Sequence, residues 1–340
     1  LVPVLVPLCT RGVSNSKPSV VVTRRLPPEV EAAIGERYDA RFNRTDVALT
    51  AEQMRDVLRQ ADIVLCTVTD RIRAEQFGSG VHTRLLANFG VGVNHIDREA
   101  ARRAGVAISN TPDVLTDDTA DLAIALMLMT MRRLGEGERH LRTGAWSGWR
   151  PTHMMGRRVS GKTLGIIGYG RIGRAVARRA SQAFGMQVLW YAPRDPRIDD
   201  PATDGPDNAE RVESVEALLA RADVVSLHCP ATPETHHLIN RERLSLMPAH
   251  AFLINTARGD VVDEYALTAA LREGVIAGAG LDVYEHEPIV VGELREMERV
   301  VLLPHLGSAT LETRTAMGLR ALANIDAFVR GERPPDLVEF

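Results

Sequence analysis

Short apolar runs without polar alternation punctuate this chain at residues 20–23, 63–66, 85–89, 107–109, 163–167, 186–191, 224–227, 252–254, 278–281 and 300–303. Runs of this kind, rich in Val, Ile and Leu and bounded by turn residues, predict strands buried on both faces of parallel sheets. Helical spacing of apolar residues predicts helices at 28–36, 51–60, 117–133 and 172–183, and an amphipathic final helix at 311–330. Strands alternating with helices make an open α/β sheet in the first third of the chain. From residue 163 onward the same alternation makes a second, doubly wound sheet. A turn-rich segment holding Trp146 and Trp149 joins the two.

The chain has 340 residues, too many for one ordinary core, so two domains are expected. A formal net charge of −3 supplies no electrostatic reason for nucleic acid or an anionic membrane as partner. Residues 1–17 lack the basic region and cleavage site of a signal peptide and read as a disordered extension. No other segment is long and apolar enough for a membrane helix. Cys9, Cys66 and Cys229 are far apart, without zinc or redox spacing, and read as reduced thiols of a cytosolic protein. His236 and His237 are adjacent but lack companions at metal-ligand spacing, so no metal site is expected; with His228 they read as structural or surface histidines.

The candidate chemistry begins at Gly168-Tyr-Gly-Arg-Ile-Gly173, placed between the predicted strand at 163–167 and the helix at 172–183. In a strand-turn-helix unit, Gly168 makes the turn, Gly170 lets backbone approach a pyrophosphate, and Gly173 lets helix pack on strand. The strand that follows should end in an acid that reads the adenine ribose. Ala192 stands there instead, with Arg194 and Arg197 just beyond. Without a carboxylate to repel it, and with guanidinium forks to bind it, a 2′-phosphate is favoured, which predicts NADPH over NADH.

Three further residues follow successive strands: Arg258, Glu287 and His305. Hydride transfer to a 2-oxo acid needs a proton donor for the developing alkoxide and a cation for the carboxylate and carbonyl. His305 is the proton donor of that set, Glu287 fixes and charges its ring, and Arg258 is the fixed cation. The expected position is the carboxyl end of the sheet, where open parallel sheets place ligands.

From about Lys17 onward the chain resembles the D-2-hydroxyacid dehydrogenases. The resemblance is carried by Gly165-Ile-Ile-Gly-Tyr-Gly-Arg-Ile-Gly173, Asn255-Thr-Ala-Arg-Gly-Asp260, Gly280-Leu-Asp-Val-Tyr-Glu-His-Glu-Pro288 and Leu303-Pro-His-Leu-Gly-Ser308. Trp146-Ser-Gly-Trp-Arg-Pro151 and the 191–197 segment make it most similar to the glyoxylate and hydroxypyruvate reductases. The resemblance implies a Rossmann-type cofactor domain, residues 116–305, inserted in a flavodoxin-like substrate domain, residues 18–115 with 306–340. It implies that Val91 and Gly92 hold the substrate carboxylate, that Ser308 lies on the substrate side, and that Arg171, Ile172, Cys229, Thr256, Asp282 and Gly307 line the cofactor. It further implies that Trp149 comes from the partner subunit of a homodimer. Met154 and Met155 depart from the family pattern. The apolar helix at 117–133 independently favours a dimer, since apolar positions surround it. The expected activity is NADPH-preferring reduction of glyoxylate and hydroxypyruvate. The alternatives are another D-2-hydroxyacid dehydrogenase, such as one acting on phosphoglycerate, and a corepressor or scaffold of the same fold.

Overall fold

The computed structural model of the protein describes residues 17–194, 206 and 208–339. The chain forms two compact units: one from the residues up to Leu115 together with those from Thr310 onward, the other Thr116–Ala309.

In the first unit, β1 (Ser19–Val22), α1 (Pro28–Arg37), β2 (Asp39–Phe42), α2 (Ala51–Gln60), β3 (Ile63–Thr67), β4 (Leu85–Phe89), α3 (Arg98–Arg103) and β5 (Ala107–Ser109) follow one another. The five strands pair in parallel in the order β2-β1-β3-β4-β5, the flavodoxin-like arrangement. Val30 and Ile34 of α1 cover one face together with Met317, Ala321 and Ile325 of the final helix, α11 (Leu311–Val329). Met54, Leu58, Ala100 and Ala101 cover the other. Gly318 lets α11 settle on α1, since a Cβ there would lie 2.5 Å from Val30 Cγ1.

The second unit holds α4 (Thr116–Met131), α5 (Leu134–Arg142), β6 (Thr163–Ile167), α6 (Arg171–Phe184), β7 (Gln187–Tyr191), β8 (Ala209–Arg211), α7 (Val215–Leu219) and β9 (Val224–Leu227). It continues with α8 (Arg241–Leu246), β10 (Phe252–Asn255), α9 (Glu264–Glu273), β11 (Gly278–Leu281), α10 (Gly292–Glu296) and β12 (Val300–Leu302). Its parallel strands run β12-β11-β10-β9-β6-β7-β8, the Rossmann order with its reversal between β6 and β9. One face is closed by α4 and α6, through Ala123, Leu126, Ala175 and Val176. The other is closed by Leu218, Leu244, Leu267 and Leu271.

Two strands depart from the sequence expectation. β2 and β8 are absent from the apolar pattern because they read Asp-Ala-Arg-Phe and Ala-Glu-Arg, with side chains exposed or half-buried, whereas the edge strands opposite them, β5 and β12, keep buried apolar residues. Such a strand borrows its order from the neighbour's hydrogen bonds, not from a buried run of its own. Likewise α5 occupies what the sequence presents as the start of a turn-rich segment; it buries none of its residues, and Glu136, Glu138, Arg139 and Arg142 interrupt any apolar run.

Candidate active site

The glycine loop is tight below and open above. Gly168 has φ 94°, and a Cβ there would lie 2.4 Å from Cys229 N; only glycine fits that approach of β6 to β9. A Cβ on Gly173 would meet Gly168 O at 2.2 Å, so the first turn of α6 rests directly on the loop. At Gly170, by contrast, a Cβ would meet no atom within 4 Å. Gly170 is also the N-cap of α6 and offers no side chain to the helix end. The start of α6, with the first-turn amides of Arg171 and Ile172, thus has neither a capping side chain nor a crowded Cβ position at Gly170, an arrangement that suits a dinucleotide pyrophosphate.

Further features fit a dinucleotide. Thr256, just past β10, is 8% exposed and its buried Oγ1 has no hydrogen-bond partner, an orphan that a ligand would satisfy. Cys229 is buried and its thiol is pushed up to about 11 by that burial, so it lines the loop as a neutral group. Ala192 follows β7 with no carboxylate, and Arg194 is exposed two residues on. Arg197 lies outside the described residues.

At the carboxyl ends of β10, β11 and β12 the structure brings Arg258, Glu287 and His305 into one group. Glu287 Oε2 is 2.9 Å from His305 Nδ1, and its Oε1 accepts from the Tyr284 amide at 3.1 Å. Burial opposes the charge on Glu287, yet the His305 hydrogen bond and charge, the Tyr284 amide and Arg258 together hold its carboxyl below the usual range. The pair is thus a carboxylate aimed at an imidazole. Burial presses on the Arg258 guanidinium, and the charges of Glu287 and Asp260 oppose that pressure. Arg258 Nη1 donates to Ala257 O at 2.6 Å. Its loop abuts the Glu287 loop so closely that a Cβ on Gly259 would lie 1.9 Å from the Tyr284 carbonyl carbon. That glycine is what lets the guanidinium and the carboxylate share one site.

His305 is held in an uncommon conformation, φ 56°, the left-handed region that costs a non-glycine residue on the order of 1 kcal/mol. The device that holds it is Asp282, 1% exposed at the end of β11. Its backbone carbonyl accepts from the His305 amide at 2.9 Å. Its carboxylate accepts from the Leu306 amide at 2.7 Å and the Gly307 amide at 2.8 Å. Burial raises the pKa of Asp282, against the Leu306 amide, His305 and the Gly307 amide, and Glu287 adds to the rise. Asp282 therefore sits under the His305 turn with both oxygens engaged. Gly307 O in turn accepts from Thr119 Oγ1 of α4 at 3.0 Å, and Ser308 follows, half-buried.

Val91 and Gly92 belong to the first unit, in the loop after β4. Gly90 O accepts from Thr111 N at 3.0 Å and from Asn88 Nδ2 at 2.9 Å, and Val91 O accepts from Asn110 Nδ2 at 2.9 Å. In a trans peptide the N–H points away from its own carbonyl, so anchoring these two carbonyls turns the Val91 and Gly92 amides outward. Asn88, at the end of β4, and Asn110 and Thr111, just past β5, gave no signal in the sequence, because polar residues at strand ends are common. In the second unit, Trp149 is 80% exposed and Trp146 49%. Met155 is exposed as well. Among the described residues, no cluster of His, Cys, Asp and Glu is arranged to hold a metal ion, and no helix is long and apolar enough to cross a membrane.

A dinucleotide loop at the reversal point of a parallel sheet, with an imidazole, its carboxylate and a guanidinium at the same strand ends, defines an NAD(P)-dependent oxidoreductase. The chain belongs to the D-2-hydroxyacid dehydrogenase family: residues 124–307 match the D-isomer specific 2-hydroxyacid dehydrogenase NAD binding domain. Glyoxylate reductases of Thermococcus litoralis and Thermococcus kodakarensis are 42% and 44% identical to it over 326 residues, 95% of this chain and 97% and 96% of theirs. Among solved structures, a Thermus thermophilus protein superposes with TM-score 0.86 at 42% identity, covering 94% of this chain and 100% of that one. An NADPH-dependent glyoxylate/hydroxypyruvate reductase from Sinorhizobium meliloti, in complex with NADP and malonate, superposes with TM-score 0.83 at 32% identity, covering 95% of this chain and 97% of its own.

Proposed function

We propose that this protein reduces glyoxylate and hydroxypyruvate to glycolate and D-glycerate, preferring NADPH, with His305 as the proton donor. The observation that carries the reading is the 2.9 Å contact of Glu287 with His305 Nδ1 beside Arg258. Glu287 accepts from Nδ1–H, which fixes the tautomer and the orientation of the ring. Nε2 is then the atom that gives its proton to the substrate oxygen as the alkoxide develops. Arg258 offers a permanent charge and a rigid fork to the carboxylate and carbonyl oxygen. Val91 and Gly92 are assigned to the substrate carboxylate through their outward amides, and Ser308 to the substrate side.

The bound nicotinamide supplies the hydride. Gly168, Gly170, Arg171, Ile172 and Gly173 would hold the pyrophosphate, with Cys229, Thr256 and Gly307 lining the loop and Asp282 supporting it from below. Ala192 and Arg194 support NADPH over NADH, as does the named cofactor dependence of the Sinorhizobium relative. The names of the Thermococcus relatives support glyoxylate. We further propose a cytosolic homodimer in which Trp149 closes the partner's substrate pocket. An indole as exposed as Trp149, the half-buried Leu122, Ala125 and Met129 of α4 and two buried free thiols, Cys66 and Cys229, support that assignment.

Initial rates on both 2-oxo acids with NADPH and with NADH test the reading. NADPH should win on both substrates, and Ala192→Asp should move the preference toward NADH. Equal or NADH-favouring rates in the parent protein would remove the NADPH assignment while keeping the enzyme.

A further inference from the structure

We infer that Arg211, on the edge strand β8, is a specificity-determining residue that selects the 2′-phosphate of the cofactor together with Arg194. The inference rests on the NADPH reading above and adds a residue to it. Arg211 pairs in register with Trp190 of β7, so its side chain emerges on the same sheet face as Trp190 and Ala192, one strand over. Its Nη2 donates to Ala192 O at 3.3 Å. Ala192 is the position that reads the adenine ribose in a sheet of this order, so Arg211 is tethered to the ribose-reading residue itself.

The guanidinium is also oriented. Its Cζ lies 5.5 Å from the Trp190 ring centroid, within cation-π range. Trp190 is fully buried and stacks at 4.3 Å and 10° on Tyr169, the residue between Gly168 and Gly170. One stack thus runs from the pyrophosphate loop through the indole to the guanidinium. It fixes the distance between the phosphate-binding turn and the cation. The strand neighbour Glu210 is occupied by Arg221, through contacts of 2.7 and 2.7 Å. Among the described residues, then, Arg211 has a carbonyl and an indole face as partners and most of its five N–H donors remain available. A held guanidinium with open donors, beside a ribose position lacking a carboxylate, matches a dianionic phosphate and gains much less from a neutral 2′-hydroxyl.

Calorimetric binding of adenosine 2′,5′-bisphosphate and of 5′-AMP to the parent protein, Arg211→Gln and Arg211→Lys tests this without turnover. The parent should bind the bisphosphate more tightly than AMP. Arg211→Gln should weaken the bisphosphate about tenfold, the scale of one charge-assisted hydrogen bond, and leave AMP unchanged. Arg211→Lys should fall between them, because charge survives but the stacked fork does not. In steady state the KM for NADPH should rise with kcat held, and the NADH constants should stay put. A parent that prefers the bisphosphate with Arg211→Gln equally selective would overturn the Arg211 assignment and leave the NADPH reading standing. Loss of both ligands to the same degree would make Arg211 structural. A parent with no preference for the bisphosphate would end both readings.

Discussion

At the scale of single residues, glycines at Gly168, Gly170 and Gly173 do three different jobs, and substitution separates them. Gly170 has an ordinary φ of −75° and open space at its Cβ position, so Gly170→Ala should fold with unchanged melting temperature and bind NADPH weakly. Gly168→Ala, which forces a methyl against the backbone of Cys229, should lower stability by about 1–3 kcal/mol, the usual scale of overpacking. Thermal unfolding with and without NADPH distinguishes the two; equal melting losses would refute the division of labour. His228 carries a different consequence. Its ring bonds Ser226 Oγ at 2.8 Å and burial lowers its pKa to about 4. In the unfolded chain it titrates near 6.5, so between pH 6.5 and 4 the unfolded state takes up a proton that the folded state refuses. Stability should fall across that window as pH drops, by up to about 3 kcal/mol from this residue. Denaturant midpoints should show it, and His228→Gln should flatten the slope. The placing of the glycine loop, Arg258, Glu287 and His305 at one end of the sheet was legible because each follows a strand of the same parallel sheet. The close approach at Gly259 and the hold of the Asp282 carboxylate on the Leu306 and Gly307 amides were not, because backbone contact and buried amide acceptance leave no mark in local sequence.

At the scale of elements, the central strands and main helices were legible wherever burial on both sides wrote an apolar run, as in Thr163–Ile167, Leu85–Phe89 and Gly278–Leu281. Edge strands Asp39–Phe42 and Ala209–Arg211 were silent for the converse reason. One consequence concerns α11 on α1. The two helices approach where Gly318 faces Val30, with a Cβ position 2.5 Å from Val30 Cγ1. Gly318→Ala should therefore gain helix propensity and still lose stability, by about 1–3 kcal/mol, because the packing clash outweighs the roughly 1 kcal/mol of propensity. Pairing it with Val30→Ala should recover part of the loss, since the two changes share one contact. Additive losses in a chemical denaturation cycle would show that the helices do not meet there as described.

At the scale of the whole molecule, the topology accounts for how distant stretches of chain come to serve one chemistry. A seven-stranded parallel sheet delivers the glycine loop, Arg258, Glu287 and His305 to the same edge from segments spread over more than a hundred residues of sequence. Parallel pairing puts every strand's carboxyl end on one side, which is why order along the chain was enough to anticipate the group. The proposed dimer belongs to this scale too. Sedimentation at micromolar concentration should give twice the mass of one 37.2 kDa chain, and Trp149→Ala should keep that mass while raising KM for the 2-oxo acid. A monomer would contradict it. The central claim, that His305 delivers the proton, is tested most directly by glyoxylate reduction with NADPH in the parent protein and in His305→Ala, alongside NADPH binding to both. The account requires turnover to fall by about 10² to 10⁴, the contribution of a positioned general acid, with NADPH affinity little changed. Turnover within a few-fold of the parent, or loss of NADPH binding in parallel with activity, would contradict it.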